Sequence, residues 1–176
     1  MNEKKLRIIQ IVVAILAIII GTLLHFTYEW SGNNKIIGAF SATNESTWEH
    51  LKLAFFPMLL FGIIEYFIVR KFVNNYIEAK TIGIFSAISF IVIFFYTYTG
   101  IIGRNFFIID ILTFVFSIII GEIIAYKLTI RDNESTNLSK ILSLGILLVL
   151  IISFIVFTYN PPNLNIFKDP IILSLK

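Results

Sequence analysis

The sequence contains no cysteine among its 176 residues and is poor in charge. The absence of cysteine excludes disulfides, thiolate metal sites, a lipoprotein anchor and cysteine nucleophiles. Charged residues make up 14% of the chain, whereas a soluble domain carries about 25%. The chain therefore lacks the charge that a surface facing water on all sides would need.

Several motifs of catalysis and binding are also missing. The sequence has no P-loop, no glycine-rich nucleotide fingerprint, no Gly-x-Ser-x-Gly elbow and no His-Glu-x-x-His motif. The net charge is only +3, and no basic cluster is dense enough to indicate binding of nucleic acid. These absences exclude the enzyme and nucleic-acid-binding classes that a motif would identify.

Long apolar segments dominate what is present. Hydrophobic residues make up 57% of the sequence, and 18 residues are phenylalanine. A bilayer core of about 30 Å requires roughly 20 helical residues, and a spanning helix satisfies its own backbone hydrogen bonds. We predict an all-α membrane protein, a bundle of five transmembrane helices in a single domain (1–176), with spans at residues 8–28, 51–69, 81–99, 106–126 and 141–159.

The lysines and arginines predict the orientation of this bundle. No small-x-small cleavage site follows the first apolar segment, so we interpret it as a retained helix rather than a signal peptide. With the N-terminus in the cytoplasm, the positive-inside rule is satisfied by nine residues against five. The tail, 160–176, is then extracytoplasmic, and the bias towards Ile, Asn and Lys indicates a bacterial plasma membrane. The inner set is Lys4, Lys5, Arg7, Arg70, Lys71, Lys80, Lys127, Arg131 and Lys140; the outer set is Lys35, Lys52, Arg104, Lys168 and Lys176.

Polar side chains gather in the first outer loop, which holds both histidines of the chain. His25 and Glu29 are four residues apart and share one face of a continuing helix; Glu45 and Glu49 have the same spacing, and His50 follows. Imidazole with carboxylate suits a divalent cation such as zinc or manganese, or general acid–base catalysis. We therefore predict His25, Glu29, Glu49 and His50 as metal ligands, and Glu45, Glu49 and His50 as catalytic residues.

A purely structural interpretation accounts for part of this loop. Ser46 and Glu49 have the spacing of a capping box at the start of the second helix. Trp30 and Trp48 suit an interfacial aromatic belt, and Glu45 is favoured near a helix N-terminus by the dipole. None of these structural roles explains why both histidines lie at the same membrane level. A functional site therefore remains a hypothesis beside the structural interpretation.

Three further acids, Glu65, Asp110 and Glu122, lie inside the predicted spans, where charge is costly and is a functional candidate by default. Asp110 can belong to the outer site or pair with Arg104. Glu65 and Glu122 lie at similar depth near the inner surface. They can hold the second and fourth helices together by hydrogen bonds, or they can form an ion or proton relay.

Proline and small residues give weaker signals. Pro57 interrupts the second helix and predicts a bend, because proline has no N–H for the carbonyl of Leu53. Ala17 and Gly21 form a small-xxx-small pair suited to close helix contact. The prolines of the tail prevent a helix there, and we expect the tail to lie extended along the outer face, either covering the His/Glu site or as a loose end.

Four stretches, residues 25–32, 44–52, 160–162 and 167–170, carry a resemblance to a known family. The second has the pattern Asn-Glu-Ser-x-Trp-Glu-His-x-Lys. Together they resemble an uncharacterised family of small polytopic membrane proteins of Firmicutes, classified as a domain of unknown function. The tail of that family continues into a Gly-Tyr-Gly-like ending, which residues 171–176 do not match. The resemblance implies a location and an architecture, and it implies no activity.

Three hypotheses of function follow. The first is a His/Glu-rich polar site at the extracytoplasmic membrane boundary that binds a divalent cation or a polar headgroup and hydrolyses an envelope or lipid-linked substrate. The second is a transport component, or a substrate-binding membrane subunit, that uses the intramembrane acids. The third is a structural or regulatory docking subunit. The expected partners are the lipid bilayer and a second copy of the chain or another membrane protein, with no nucleic acid.

Overall fold

A computed structural model of the chain describes residues 2–131 and 135–169, and these residues form helices joined by short loops, without strands. In order, the helices are α1 (Glu3–Trp30), α2 (Lys35–Gly38), α3 (Thr47–Val69), α4 (Tyr76–Ile102), α5 (Phe107–Ile130) and α6 (Asn137–Tyr159), followed by a 3₁₀ turn at Asn165–Phe167. The predicted tail is described as far as Asp169, and its end (170–176) lies outside the described residues.

The prediction of five membrane-spanning helices is confirmed. Within the described residues, α1, α3, α4, α5 and α6 are long and apolar enough to cross a bilayer. Most of them extend past the predicted apolar segments, because polar residues cap them beyond the apolar run. The side chain of Asn2 caps α1 by accepting a hydrogen bond from the Lys5 N–H (3.1 Å), and Thr136 caps α6. The start of α4 at Tyr76 places Lys80 inside a helix rather than in a loop.

The bundle is built around α3, which is the most buried of the five spans. Its fully buried side chains Phe55 and Met58 pack with Ile84 of α4, Ile118 of α5 and Phe154 of α6. The contact between α4 and α5 is the most extensive of the bundle. There a Cβ on Gly83 would lie 2.6 Å from the carbonyl oxygen of Gly121, so only glycine permits this approach.

Helix α1 approaches α3 at the carbonyl that Pro57 leaves without an intrahelical donor. Pro57 lies inside α3 and has no N–H to donate to the carbonyl of Leu53. That carbonyl oxygen occupies the space in which a Cβ on Gly21 of α1 would stand, and Ala17 one turn away is fully buried. The small-residue pair of the sequence therefore lies in the α1–α3 interface.

Helix α6 lies at the periphery, packed mainly on α4. Phe154 and Ser143 are its buried residues, and about half of its remaining side chains are apolar and exposed. An apolar exterior of this kind is what a bilayer solvates. The exposed apolar residues of α6 include Leu142, Leu144, Leu148, Val149 and Ile152.

Candidate functional site

The candidate site lies at the end of the bundle where α1 ends and α3 begins, which we call the His25 end. The chain leaves α1 through Gly32 (φ +70°) and Asn33 (φ +60°), two left-handed residues that reverse its direction. Ser41 then fastens the returning loop to α1: its hydroxyl donates to the carbonyl of Leu24 and accepts from the Tyr28 N–H (3.1 Å). The loop is thereby held against the last turns of α1.

Three predicted residues converge here, His25 of α1, Glu45 of the loop and His50 of α3. One ligand atom from each lies within 4.8 Å of the other two. The Glu45 carboxylate is 3.4 Å from His50 Nε2 and 3.9 Å from His25 Nε2. The two imidazole rings are 5.3 Å apart between centroids. The structure therefore brings both histidines and one carboxylate to a single point.

Hydrogen bonding orients the His50 ring. Its Nδ1 is 2.9 Å from the backbone carbonyl of Ser46, which can only accept, so Nδ1 carries the hydrogen. In the neutral ring the lone pair is then on Nε2, the atom that faces Glu45. Metal-binding histidines have this arrangement, in which the second nitrogen donates to a carbonyl and fixes the tautomer.

The electrostatics of Glu45 follow from this contact. When His50 is protonated, its Nε2 also carries a hydrogen, and the hydrogen bond that it then donates to Glu45 lowers the pKa of the Glu45 carboxyl, with a smaller contribution from the charge of His25. The Glu45 side chain is 43% exposed. A cleft of about 90 Å³, lined by His25, Glu29 and Glu45, opens beside it. The group is thus an ionised ligand with room for water next to it.

The structure separates the other two predicted ligands from this point. Glu29 lines the cleft with His25 but is not one of the three convergent groups. Glu49 points elsewhere, because the helix begins at Thr47 with Ser46 as its N-cap, and Glu45 precedes the helix. Glu45 and Glu49 therefore do not share a helical face, although they are four residues apart.

Glu49 instead forms a buried ion pair with Lys52. The two side chains are 2% and 0% exposed, and Lys52 Nζ is 2.7 Å from Glu49 Oε2. Lys52 also donates to the carbonyl of Gly38 (2.7 Å) and to the hydroxyl of Thr158 in α6 (2.9 Å). Glu49 accepts from the Thr43 N–H and hydroxyl, both at 2.9 Å, and from Thr158 (2.8 Å). This network joins the loop, α3 and α6.

Asp110 is not one of the three convergent groups, although its charge acts on His50. It accepts hydrogen bonds from the hydroxyl of Tyr98 and from Asn105 Nδ2 (2.9 Å). The guanidinium of Arg104 lies over the ring of Phe106, 4.7 Å from its centroid, rather than on Asp110. Asp110 therefore ties the α4–α5 loop together.

The described part of the tail folds back onto the start of α3. The ring of Phe167 lies 4.9 Å from that of Trp48. Asp169 Oδ2 accepts a hydrogen bond from the Glu45 N–H (3.3 Å). The tail thus reaches the backbone of a site residue.

Glu65 and Glu122 meet at the opposite end of the bundle, which we call the Lys80 end. Both carboxylates lie on the ammonium of Lys80, at 3.2 and 2.6 Å respectively. The sequence interpretation missed the groups that bind these acids, Lys80 with Tyr76 and Gln10, and it also missed the partner of Glu49, Lys52. The signal was present for the two lysines, since Lys52 lies inside the predicted second span and Lys80 directly precedes the third, but each was interpreted as a flanking charge.

Comparisons with known proteins place the chain in a family. No curated protein and no solved structure matches it. A family model described as a family of unknown function matches residues 1–173, and the expected membership of an uncharacterised family is thereby confirmed. The chain, a multi-pass membrane protein with a His–Glu–His cluster at one end, belongs to the family of unknown function DUF6512.

Proposed function

We propose that the protein binds a divalent metal ion, with zinc the best fit, through His25, Glu45 and His50 at the outer face of a bacterial plasma membrane. The bound ion would serve to hydrolyse an envelope or lipid-linked substrate. The observation that carries the proposal is the convergence of two imidazoles and one carboxylate beside an open cleft. Catalytic zinc uses such a set of three ligands and keeps its fourth position for water.

The distances support tetrahedral coordination. With bonds of about 2 Å, the ligand atoms of tetrahedral zinc are separated by roughly 3.3 Å. The Glu45 carboxylate presents Oε2 to His50 Nε2 at 3.4 Å and Oε1 to His25 Nε2 at 3.9 Å. One ligand atom from each of the three side chains lies within 4.8 Å of the other two, so side-chain rotations have to bring the ligand atoms together by up to about 1.5 Å. The bond from His50 Nδ1 to the Ser46 carbonyl fixes one of the three side chains during this change.

The surroundings of the site support hydrolysis of an amphiphile. A zinc ion supplies a hydroxide nucleophile at neutral pH, because the pKa of its bound water is about 7. Glu29 lines the same cleft and would act as the general base for such a water. Phe26 and Trp30, stacked on each other and 42% and 69% exposed, offer an apolar surface beside His25 for a lipid chain.

The outer location follows from the distribution of positive charge. Lys80 and Lys52 are buried in the bundle, so each leaves the count of loop charges. The nine inner residues become eight and the five outer residues become four, so the ratio rises from 9:5 to 2:1. By the positive-inside rule, this distribution supports a cytoplasmic N-terminus and an outer location for the His25 end.

Zinc titration of the purified, metal-free protein in detergent tests the proposal. We expect one zinc per chain by calorimetry in the wild type, and at least about 100-fold weaker binding in His25→Ala, His50→Ala and Glu45→Gln, since loss of a ligand exceeds the effect of a supporting residue. Glu3→Gln, an exposed acid at the far end of α1, is the matched control and should bind as the wild type does.

Two outcomes contradict the proposal. Absence of binding in the wild type removes the metal site, and wild-type affinity in His50→Ala shows that zinc binds elsewhere. Glu29→Gln separates binding from chemistry: it should retain zinc and lose hydrolysis of ester and phosphoester lipid probes. Equal hydrolysis by Glu29→Gln and the wild type would exclude Glu29 as the general base.

A further inference from the structure

A second polar cluster is buried at the Lys80 end, remote from the histidines. Lys80, Glu65 and Glu122 are 4%, 0% and 3% exposed. Lys80 Nζ contacts both oxygens of Glu122, at 2.7 and 2.6 Å, and Oε2 of Glu65 at 3.2 Å. Gln10 Nε2 donates to Oε1 of Glu65 (2.5 Å), and the hydroxyl of Tyr76 lies 2.7 Å from Oε2. The cluster therefore joins α1, α3, α4 and α5.

The charges of this cluster do not balance. One ammonium faces two carboxylates, so with both acids ionised the cluster carries a net charge of −1 without solvent contact. An unpaired charge is strongly disfavoured in the interior of a membrane bundle. The cluster must acquire one more positive charge, and the choice is between a proton and a metal cation.

The geometry favours the proton. The ammonium of Lys80 already lies between the carboxylate oxygens, at distances of 2.6 to 3.2 Å, where a cation would have to bind. A monovalent or divalent cation placed there would meet the positive charge of Lys80 at contact distance. A proton needs no additional space, because it shortens no contact and displaces no atom.

Hydrogen counting favours Glu65 as the carboxyl that holds the proton. The single hydrogen of the Tyr76 hydroxyl faces two oxygens, the backbone carbonyl of Gly62 (3.1 Å) and Oε2 of Glu65 (2.7 Å). If it is donated to Gly62, the contact with Glu65 becomes a hydrogen bond only when Oε2 carries a hydrogen and donates it to the tyrosine oxygen. Glu122 instead receives two bonds from Lys80 and has the geometry of an ionised partner.

We propose that the Lys80 cluster is a binding site for one exchangeable proton, held on Glu65 and donated in a hydrogen bond to Tyr76. Release of the proton turns the Tyr76 hydroxyl from the Gly62 carbonyl towards the Glu65 carboxylate and leaves an unpaired negative charge among four helices. Proton binding and the tightness of the bundle are thereby coupled.

Among the residues that the structure describes, the groups around the cluster supply no second positive charge. A Cβ on Gly62 would lie 2.8 Å from Cε of Lys80, so the lysine stem is held tightly against α3. The neighbouring charged group is Arg7, whose guanidinium lies 5.9 Å from the ring centroid of Tyr126 rather than on a carboxylate. The titratable and charged groups that face the cluster are, by helix, Arg7 of α1, Tyr66 of α3, Tyr76 and Lys80 of α4, and Glu122 and Tyr126 of α5.

Infrared spectroscopy of the purified protein counts protonated carboxyls directly, since a carboxylic acid has a C=O stretch that a carboxylate lacks. The number of protonated carboxyls expected in the cluster equals its number of acids minus its number of lysines. The wild type should show one such band, Glu65→Gln and Glu122→Gln should show none, and Lys80→Met should show two. Glu49→Gln is the matched control: Glu49 is buried but balanced by Lys52, so its loss should leave the band intact.

The Glu122 variant makes the test specific. If Glu65 were protonated for a reason unrelated to the charge of the cluster, its band would survive in Glu122→Gln, and that result would overturn the proposal. A wild-type spectrum without a band that Glu65→Gln removes would overturn it as well. Both Gln variants are nearly isosteric with Glu, and thermal unfolding verifies that they fold, so the proposal remains testable even if Lys80→Met does not fold.

Discussion

The buried pair of Glu49 and Lys52 allows the role of Glu49 to be decided by stability. Removing one partner of a buried ion pair destabilises a protein by about 3–5 kcal/mol, because the other charge is left uncompensated. In Glu49→Gln, Lys52 keeps the Gly38 carbonyl and the Thr158 hydroxyl as acceptors. We therefore expect a loss near the lower limit, about 3 kcal/mol.

Lys52→Met should be more damaging. The Glu49 carboxylate would keep its hydrogen bonds from Thr43 and Thr158, but the Gly38 carbonyl would lose its donor, which adds about 1 kcal/mol. The expected loss is about 4–5 kcal/mol. In the double variant no charge is left unpaired, so it should be less destabilised than either single variant. Its expected loss of stability relative to the wild type is about 1–2 kcal/mol.

Reversible unfolding in mixed detergent micelles, followed by tryptophan fluorescence, measures all four proteins of this cycle. The reasoning is refuted if Glu49→Gln unfolds as the wild type does while zinc binding or hydrolysis is lost. That result would return Glu49 to the catalytic role predicted from the sequence. Additive losses in the double variant would refute the ion pair as the source of the stability.

Three further predictions concern other parts of the chain. Gly83→Ala should destabilise the bundle by about 1–3 kcal/mol through overpacking, because its Cβ would lie 2.6 Å from a backbone oxygen of α5. Gly145 has open space around it, so Gly145→Ala should stabilise the protein by about 0.5–1 kcal/mol in the same unfolding assay. Because the pKa of Glu45 is lowered, its carboxyl stays ionised to lower pH in the folded protein than in the unfolded chain. Its contribution to the stability of the fold is therefore present above the unfolded pKa and is lost as the pH falls through the folded pKa. The stability difference between the wild type and Glu45→Gln should persist at neutral pH and shrink on acidification. Phe167→Ala should release the tail from Trp48, which a red shift of tryptophan emission and easier proteolysis of the tail would report, and an unchanged emission spectrum would contradict it.

The five spans could be predicted from the sequence because each is a long apolar run, but their ends could not. Apolar runs mark the part of a helix that lipid or the core surrounds, whereas the helix continues to its capping residue. Helix α4 begins at Tyr76, five residues before the predicted span. The apolar pattern alone therefore predicts Lys80 to be a loop charge. Its place between two acids depends on the contacts of α4 with α3 and α5, which no local pattern encodes.

In the candidate site, too, one part could be predicted from the sequence and another part could not. The sequence places both histidines beside one loop, and the structure puts their rings 5.3 Å apart. Which glutamate joins them depended on where the helix begins: with Ser46 as the N-cap, Glu45 lies outside α3 and faces the rings. Glu49, inside the first turn, faces Lys52 instead. Spacing alone treats the two acids as equivalent.

The hydroxyl of Thr158 has a consequence for the order in which the protein is assembled. Thr158 is provided by the last helix, yet it contacts Glu49 and Lys52, which are more than 100 residues earlier in the chain. During synthesis the earlier helices reach the membrane while the ammonium of Lys52 still lacks this acceptor. The His25 end is therefore completed only when α6 docks. While α6 is still held in the ribosome, the side chain of Lys52 should be accessible to water.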